Sequence, residues 1–295
     1  MTPVHGHRDP RFAVRVAEKW LRDEGFTSLP VDPRVVAARL EITVQPKPDT
    51  APGVSGMLLR HGNSFGILYA THVLSEGFQN FSIAHEIGHY LLDGHPEHVF
   101  QDGSSMHTSH AGFVSLDPFE AEADHFAAGL LMPDPMFTRA LRRAGDGLDA
   151  IEALASLCRT SLTATGIRYV QCADVPVAVV MSTGDRIDYC FMSKALQDFP
   201  DLTWPRKGDL LPGGVATERF NSDQRNVTEG RRQQAKDNLR RWFGSVRHIE
   251  TTEDVLGLGS YGKTLTVIRT ETFADDEEEE DDESLADRWT PRFHR

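Results

Sequence analysis

The sequence predicts an α+β chain: a metal-binding core, then a helical hairpin, then a small α+β C-terminal module. Three observations carry this. Two helical runs, Phe81–Leu92 and Glu120–Met132, hold ionisable residues at helical spacing among apolar ones. Two strand-like runs, Val54–Leu59 and Ser64–Ala70, precede them, joined by the turn residues His61-Gly62-Asn63. A second set of strand-like runs, Val175–Met181, Arg186–Met192, Ser245–Thr252 and Thr264–Thr270, follows the helices. The expected organisation is a core over 1–145, a helix-turn-helix-like segment over 146–172, a module over 173–272 and an acidic, disordered tail over 273–295.

Composition bounds the function. With 295 residues, 39% hydrophobic and 25% charged, the chain suits one large or two modest soluble domains. It has no signal-peptide apolar region and no run of about 18 apolar residues, so no membrane span is expected. Cys158, Cys172 and Cys190 have neither zinc-finger nor paired spacing, which suggests reduced thiols in a cytoplasm. The net charge is −13, but nine of the negatives form the block Asp275–Glu283. The remainder is mildly acidic and gives no signal for nucleic-acid binding.

In chain order, Arg11–Glu24 reads as an amphipathic helix, with Phe12, Val16, Trp20 and Leu21 at helical spacing and Gly25 ending it. Asp32 caps a short second helix that begins with Pro33. Ile42-Thr43-Val44 reads as a strand. The strand Ser64–Ala70, directly before the next helix, reads as ordinary sheet core, with an edge for an extended peptide as the alternative.

The stretch Phe81-Ser82-Ile83-Ala84-His85-Glu86-Ile87-Gly88-His89-Tyr90-Leu91-Leu92 contains His-Glu-x-x-His. Residues four apart on a helix lie about 40° apart around its axis. His85 and His89 therefore project together as two nitrogen ligands for one zinc ion, and Glu86 stands at the edge of that face as a general base. Asn80 is the expected N-cap. The region 93–117 reads as a long loop rimming the cleft, its histidines His95, His98, His107 and His110 solvated.

On the next helix, Glu120 and Asp124 share the apolar face of Ala123, Ala127, Leu130 and Leu131. Glu122 points nearly the opposite way, about 200° from Glu120. The pattern selects Glu120 as third ligand and assigns Asp124 the free ring N–H of a ligand histidine. Two histidines and one glutamate leave the fourth position of zinc open, the arrangement of a catalytic site.

These two motifs, with the closing Leu130-Leu131-Met132-Pro133, resemble the ImmA/IrrE family of metallopeptidases over roughly Arg11–Val170. The family often has Asn where Asp124 stands. The resemblance implies a zincin-like core in which the glutamate opening the second helix completes the zinc site, so Glu120 is carried over. It implies a zinc-dependent endopeptidase cutting a helix-turn-helix (XRE-like) repressor in a stress, phage or mobile-element response.

The helical segment Ala153–Val170 has a helix-turn-helix rhythm but offers only Arg159 and Arg168 as basic residues, so a structural hairpin is expected rather than direct DNA reading. Thr217–Gly230 reads as a polar excursion. The basic residues Arg231, Arg232, Lys236, Arg240 and Arg241 read as a solvated helix face. The glycines 257, 259 and 262 lack the spacing of a phosphate loop. Tyr69, Tyr90 and the loop histidines all stay open as oxyanion donors. The rival reading is a non-enzymatic, zinc-containing sensor acting by protein binding; Glu86 argues against it, since a structural zinc site needs no base.

Overall fold

Two separate runs of strands build two sheets in this computed structural model, which describes residues 11–47, 53–110, 117–245 and 248–270. The fold is a mixture of helices and sheets, in two compact units. The first takes the described residues up to Val175 together with Phe191–Leu196; the second takes Pro176–Cys190 and the described residues from Gln197 on. The acidic block 275–283 lies outside the described residues.

The first unit opens with α1 (Arg11–Asp23) and α2 (Pro33–Arg39). Asp32 caps α2 by accepting from Arg34 N at 2.8 Å, and Pro33 occupies its first turn, where a missing N–H costs nothing. Then come β1 (Thr43–Lys47), β2 (Val54–His61), β3 (Ser64–Ala70), α3 (Glu76–Leu91), α4 (His95–Val99), β4 (Met106–His110), α5 (Pro118–Leu131), α6 (Asp134–Ala144), α7 (Gly147–Cys158) and α8 (Leu162–Cys172). The sheet order is β1-β3-β2-β4, with β1 parallel to β3 and the other pairs antiparallel. Helix α3 packs on β2 and β3 and, with its other side, on α5, which in turn packs on α1. Leu58, Ile67, Ile83, Ile87, Phe126 and Leu130 are fully buried between these layers.

Several expectations give way here. The strand before the metal helix is internal, lying between β1 and β2, which agrees with its reading as sheet core and removes the alternative of a peptide-docking edge; the edge strands are β1 and β4. Residues 93–110 are not one irregular loop but contain α4, a short 3-10 turn and β4. Asn80 is not the cap of α3. Ser75 is, accepting from Phe78 N at 3.3 Å, while Asn80 sits inside the helix and is buried. Its side chain accepts from Arg34 Nη1 at 2.8 Å and donates to Arg159 O at 3.0 Å, partners remote in sequence.

Helices α7 and α8 meet at Arg159, which takes a left-handed conformation at φ 54°. Arg168 does not face solvent. It is 7% exposed, donates to Met132 O at 3.0 Å and pairs with Asp134 at 2.9 Å and Glu18 at 3.6 Å, all within the first unit. One of the two basic residues available to a DNA-reading helix is thus spent on internal packing.

The second unit contains β5 (Val177–Thr183) and most of β6 (Arg186–Met192). After α9 (Lys194–Gln197) come α10 (Ala216–Asn221), α11 (Gln224–Thr228), β7 (Arg232–Asn238), α12 (Leu239–Phe243), β8 (Glu250–Gly257) and β9 (Thr264–Thr270). The sheet order is β6-β5-β9-β8-β7. Ala216, Phe220 and Val227 pack on Val255 of β8. The polar excursion over 217–230 is therefore helical and partly core. The basic cluster lies on the edge strand β7 and on α12 rather than on one helix face, because β7 pairs along its whole length with β8.

Candidate metal centre

Helix α3 is buried along most of its length, which leaves its polar residues dependent on partners. His85 and His89 project from one side, one turn apart, with Nε2 atoms 3.0 Å from each other. Glu120 stands in the first turn of α5, a helix capped by Asp117, which accepts from Phe119 N at 2.9 Å. Its Oε2 lies 3.3 Å from His85 Nε2 and its Oε1 3.3 Å from His89 Nε2. One ligand atom from each of the three residues falls within 4.8 Å of the others.

The close approach of the two helices depends on Gly88, inside the His-Glu-x-x-His motif. A Cβ there would stand 3.1 Å from Phe126 Cδ1 and 3.3 Å from Ala123 Cα. The missing side chain favours the close approach of α5 that brings Glu120 to the histidines.

The donor set fits a divalent cation. Two imidazole nitrogens face each other across 3.0 Å, and a carboxylate closes the third side. His85 Nδ1 is 2.8 Å from Asp124 Oδ1, so a proton on Nδ1 leaves the Nε2 lone pair for the shared point. His85, His89 and Glu120 could thus hold a metal ion by two neutral nitrogens and one anionic oxygen, a set that suits zinc. The same crowding shifts their proton affinities. Burial works against a charge on His85, but Asp124, Glu120 and Glu86 outweigh it and hold its pKa up to about 10. Burial pushes His89 down to about 3. Burial also opposes the charge on Glu120, yet hydrogen bonds from His107, His85 and His89 hold its carboxyl well below the usual range.

Glu86, beside His85, lies against Gly56 of β2. It is fully buried, and neither carboxylate oxygen makes a well-formed hydrogen bond to the described residues, although the Ser109 hydroxyl favours its charged form. Burial raises its pKa against the pull of His85 and His107. Its space is made by Gly56 of β2: a Cβ at 56 would lie 2.5 Å from Glu86 Oε1 and 3.1 Å from its Cγ.

The four histidines of region 93–110 are not a solvated set. His95 is fully buried, its Nδ1 3.1 Å from His89 Nδ1 and its Nε2 3.2 Å from Glu122 Oε2. His107, on β4, places Nε2 3.0 Å from Glu120 Oε1. His98 stacks on Phe119 with ring centres 3.8 Å apart and reaches Asp117 at 3.3 Å. His110 is exposed. Sequence reasoning thus missed Gly56, His95, His107 and Glu122. Gly56 and His107 carried one local signal each: a glycine inside a strand and a histidine in an alternating run. His95 and Glu122 carried none, because their contact joins α4 to α5 across 27 residues of sequence.

Residues 37–169 match the peptidase M78 family profile, described as the IrrE N-terminal-like domain. The chain is 31% identical over 102 residues to the radiation response metalloprotease IrrE of Deinococcus radiodurans, a match covering 35% of this chain and 29% of that protein. A Mycobacterium tuberculosis transcriptional regulator of known structure shares the fold, with a TM-score of 0.55 and 15% identity over 88% of this chain and 76% of that one. The match of residues 37–169 to the peptidase M78 (IrrE N-terminal-like) family supports the resemblance to ImmA/IrrE metallopeptidases carried by the two motifs.

Proposed function

We propose that the chain is a zinc-dependent endopeptidase with a zincin-like core, holding its ion by His85, His89 and Glu120 and using Glu86 as general base. One observation carries this reading: a fully buried carboxylate without a well-formed hydrogen bond, one residue from a candidate ligand. A purely structural metal site has no use for such a group, and leaving it unsatisfied costs stability. When bound, the ion supplies Lewis acidity, polarising a carbonyl and making water more acidic. Glu86 takes the proton from the attacking water and passes it to the leaving amine. Asp124 holds the His85 ring in the tautomer that presents Nε2. Gly56 keeps the space in which the Glu86 carboxylate stands.

The edge strand β4 is the natural dock for an extended substrate, since its one strand partner among the described residues is β2. His107, on that strand, is the first candidate to face the reacting carbonyl. The substrate we propose is a helix-turn-helix repressor, cut in a loop or linker and so released from its operator. The family resemblance supports this, and the net charge of −13 favours encounter with a basic protein. No helix among the described residues is long and apolar enough to cross a membrane. Cytoplasmic placement accords with the free thiols of Cys158, Cys172 and Cys190.

The test incubates the purified, zinc-loaded protein with helix-turn-helix repressors from its own genome and identifies fragments by mass spectrometry. Discrete cleavage that drops by roughly 100-fold or more in Glu86→Gln, with zinc still bound, is the expected result. Intact repressors beside other cleaved proteins remove the substrate assignment alone. Zinc binding with no cleavage of any protein removes the enzyme.

A further inference from the structure

We infer that His95 and Glu122 form a positioning pair that fixes the ring and tautomer of His89, so that this ligand presents its Nε2 lone pair to the metal. The inference rests on the metal-site reading above and adds two residues to it.

The argument is one of proton placement. His89 Nε2 converges with His85 Nε2 and both oxygens of Glu120. To bind a cation there, Nε2 must carry a lone pair, which puts the ring proton on Nδ1. His89 is fully buried, so that N–H needs an acceptor. His95 Nδ1 stands 3.1 Å away. It accepts only if its own proton sits on Nε2, and that N–H needs an acceptor in turn. Glu122 Oε2 lies 3.2 Å from it. A carboxylate accepts and does not donate, so it sets the direction of the whole chain: His89 Nδ1–H donates to His95, and His95 Nε2–H donates to Glu122. Reversing either link would put a proton where the metal belongs.

The local backbone is built to deliver His95. Gly94 takes φ 83°, a conformation that glycine adopts without strain, and Pro96 opens α4 behind it. This reverses the chain after α3 and places His95 beneath His89. The Phe119 ring packs edge-on against His95 at 4.9 Å, and His95 is fully buried, so water does not compete for its nitrogens. The outcome parallels the other ligand. His85 is backed directly by Asp124, whereas His89 is backed at one remove by Glu122, and both carboxylates come from α5. The three acids at 120, 122 and 124 thus divide the work: one ligates and two orient.

The test measures zinc affinity by chelator competition and records the visible spectrum of the cobalt-substituted protein, for His95→Leu, His95→Asn and Glu122→Gln. Leucine removes the acceptor, whereas asparagine keeps an oxygen near the position of Nδ1. His95→Leu should lose zinc affinity by roughly 10- to 100-fold, as second-layer substitutions do, with a changed cobalt spectrum. His95→Asn should recover most of that loss. Glu122→Gln should lose roughly tenfold, and its half-buried position makes it the variant most certain to fold. Melting temperatures in excess chelator separate folding from ligation. Equal losses for Leu and Asn, or unchanged affinities in all three variants, would overturn the inference. A wild-type protein that binds no zinc overturns both the metal reading and this one. A wild-type protein that binds zinc but cuts nothing removes only the enzyme, and the affinities still decide the positioning pair.

Discussion

Gly56 illustrates how much of the site is set by single residues. Its missing side chain is the space occupied by Glu86, whose Oε1 and Cγ would meet a Cβ at 2.5 and 3.1 Å. Gly56→Ala must therefore displace the distal half of Glu86, which is fully buried and has little room to move. A misplacement of about 1 Å in a catalytic group costs on the order of 100-fold in rate. We expect Gly56→Ala to retain zinc, measured by metal analysis, and to lose cleavage by one to two orders of magnitude; near wild-type turnover would show that Glu86 is not the base. The acids of α5 give a second prediction at this scale. Glu120→Ala removes a direct ligand and should leave the purified protein largely without zinc. Glu122→Ala should weaken binding only through His95. The helical-face reading left Glu122 with no part in the site, yet its side chain reaches His95. Equal zinc contents, or the reverse order, would reject Glu120 as the ligand.

Helices α1, α3 and α5 stack closely because glycines replace side chains at their crossings. A Cβ at Gly129 would stand 2.9 Å from Val14 Cα and 3.2 Å from Val14 O, both backbone atoms of α1 that cannot rotate aside. Gly129→Ala gains helix propensity but forces α1 from α5, and overpacking of this kind costs about 1–3 kcal/mol. We expect a lower melting temperature with the zinc ligands still assembled; an unchanged or raised value would show that the helices part freely. At this scale the sequence was legible where the signal is local. The motif helix, the Asp32 cap, the hairpin of β2 and β3 and the helix that carries Glu120 all follow from periodicity and capping within a few residues. It was misleading where partners are distant. Asn80 has a capping side chain but is held mid-helix by Arg34 and Arg159. The strand β7 is strongly polar, with Arg232, Gln234 and Lys236 exposed or partly so, and only its pairing with β8 makes it a strand. His95 looks like a loop histidine until Gly94 turns it inward.

The two compact units answer to different variables, which makes them separable in experiment. The first carries the candidate ligands and should be stabilised by zinc, since a ligand that binds only the folded state raises its stability. The second carries Glu253 on β8, fully buried, with Oε2 3.3 Å from both the N and Oγ1 of Thr217. Burial, helped by Asp237 and opposed by the Trp242 indole, pushes its carboxyl from 4.5 up to about 7. A folded pKa above the unfolded one means that the fold favours the protonated acid. The stability that this supplies is fully present below about pH 4.5 and is lost as pH rises through about 7. In excess chelator, which removes the metal variable, melting followed by intrinsic fluorescence should therefore shift downward between pH 5 and pH 8. Buried Trp242 reports on this unit. Glu253→Gln keeps the shape and the hydrogen-bonding oxygen but cannot ionise, so its melting should be flatter over the same window and higher than wild type at pH 8. If the variant keeps the wild-type slope, the pH dependence arises elsewhere and Glu253 is charged in the folded unit.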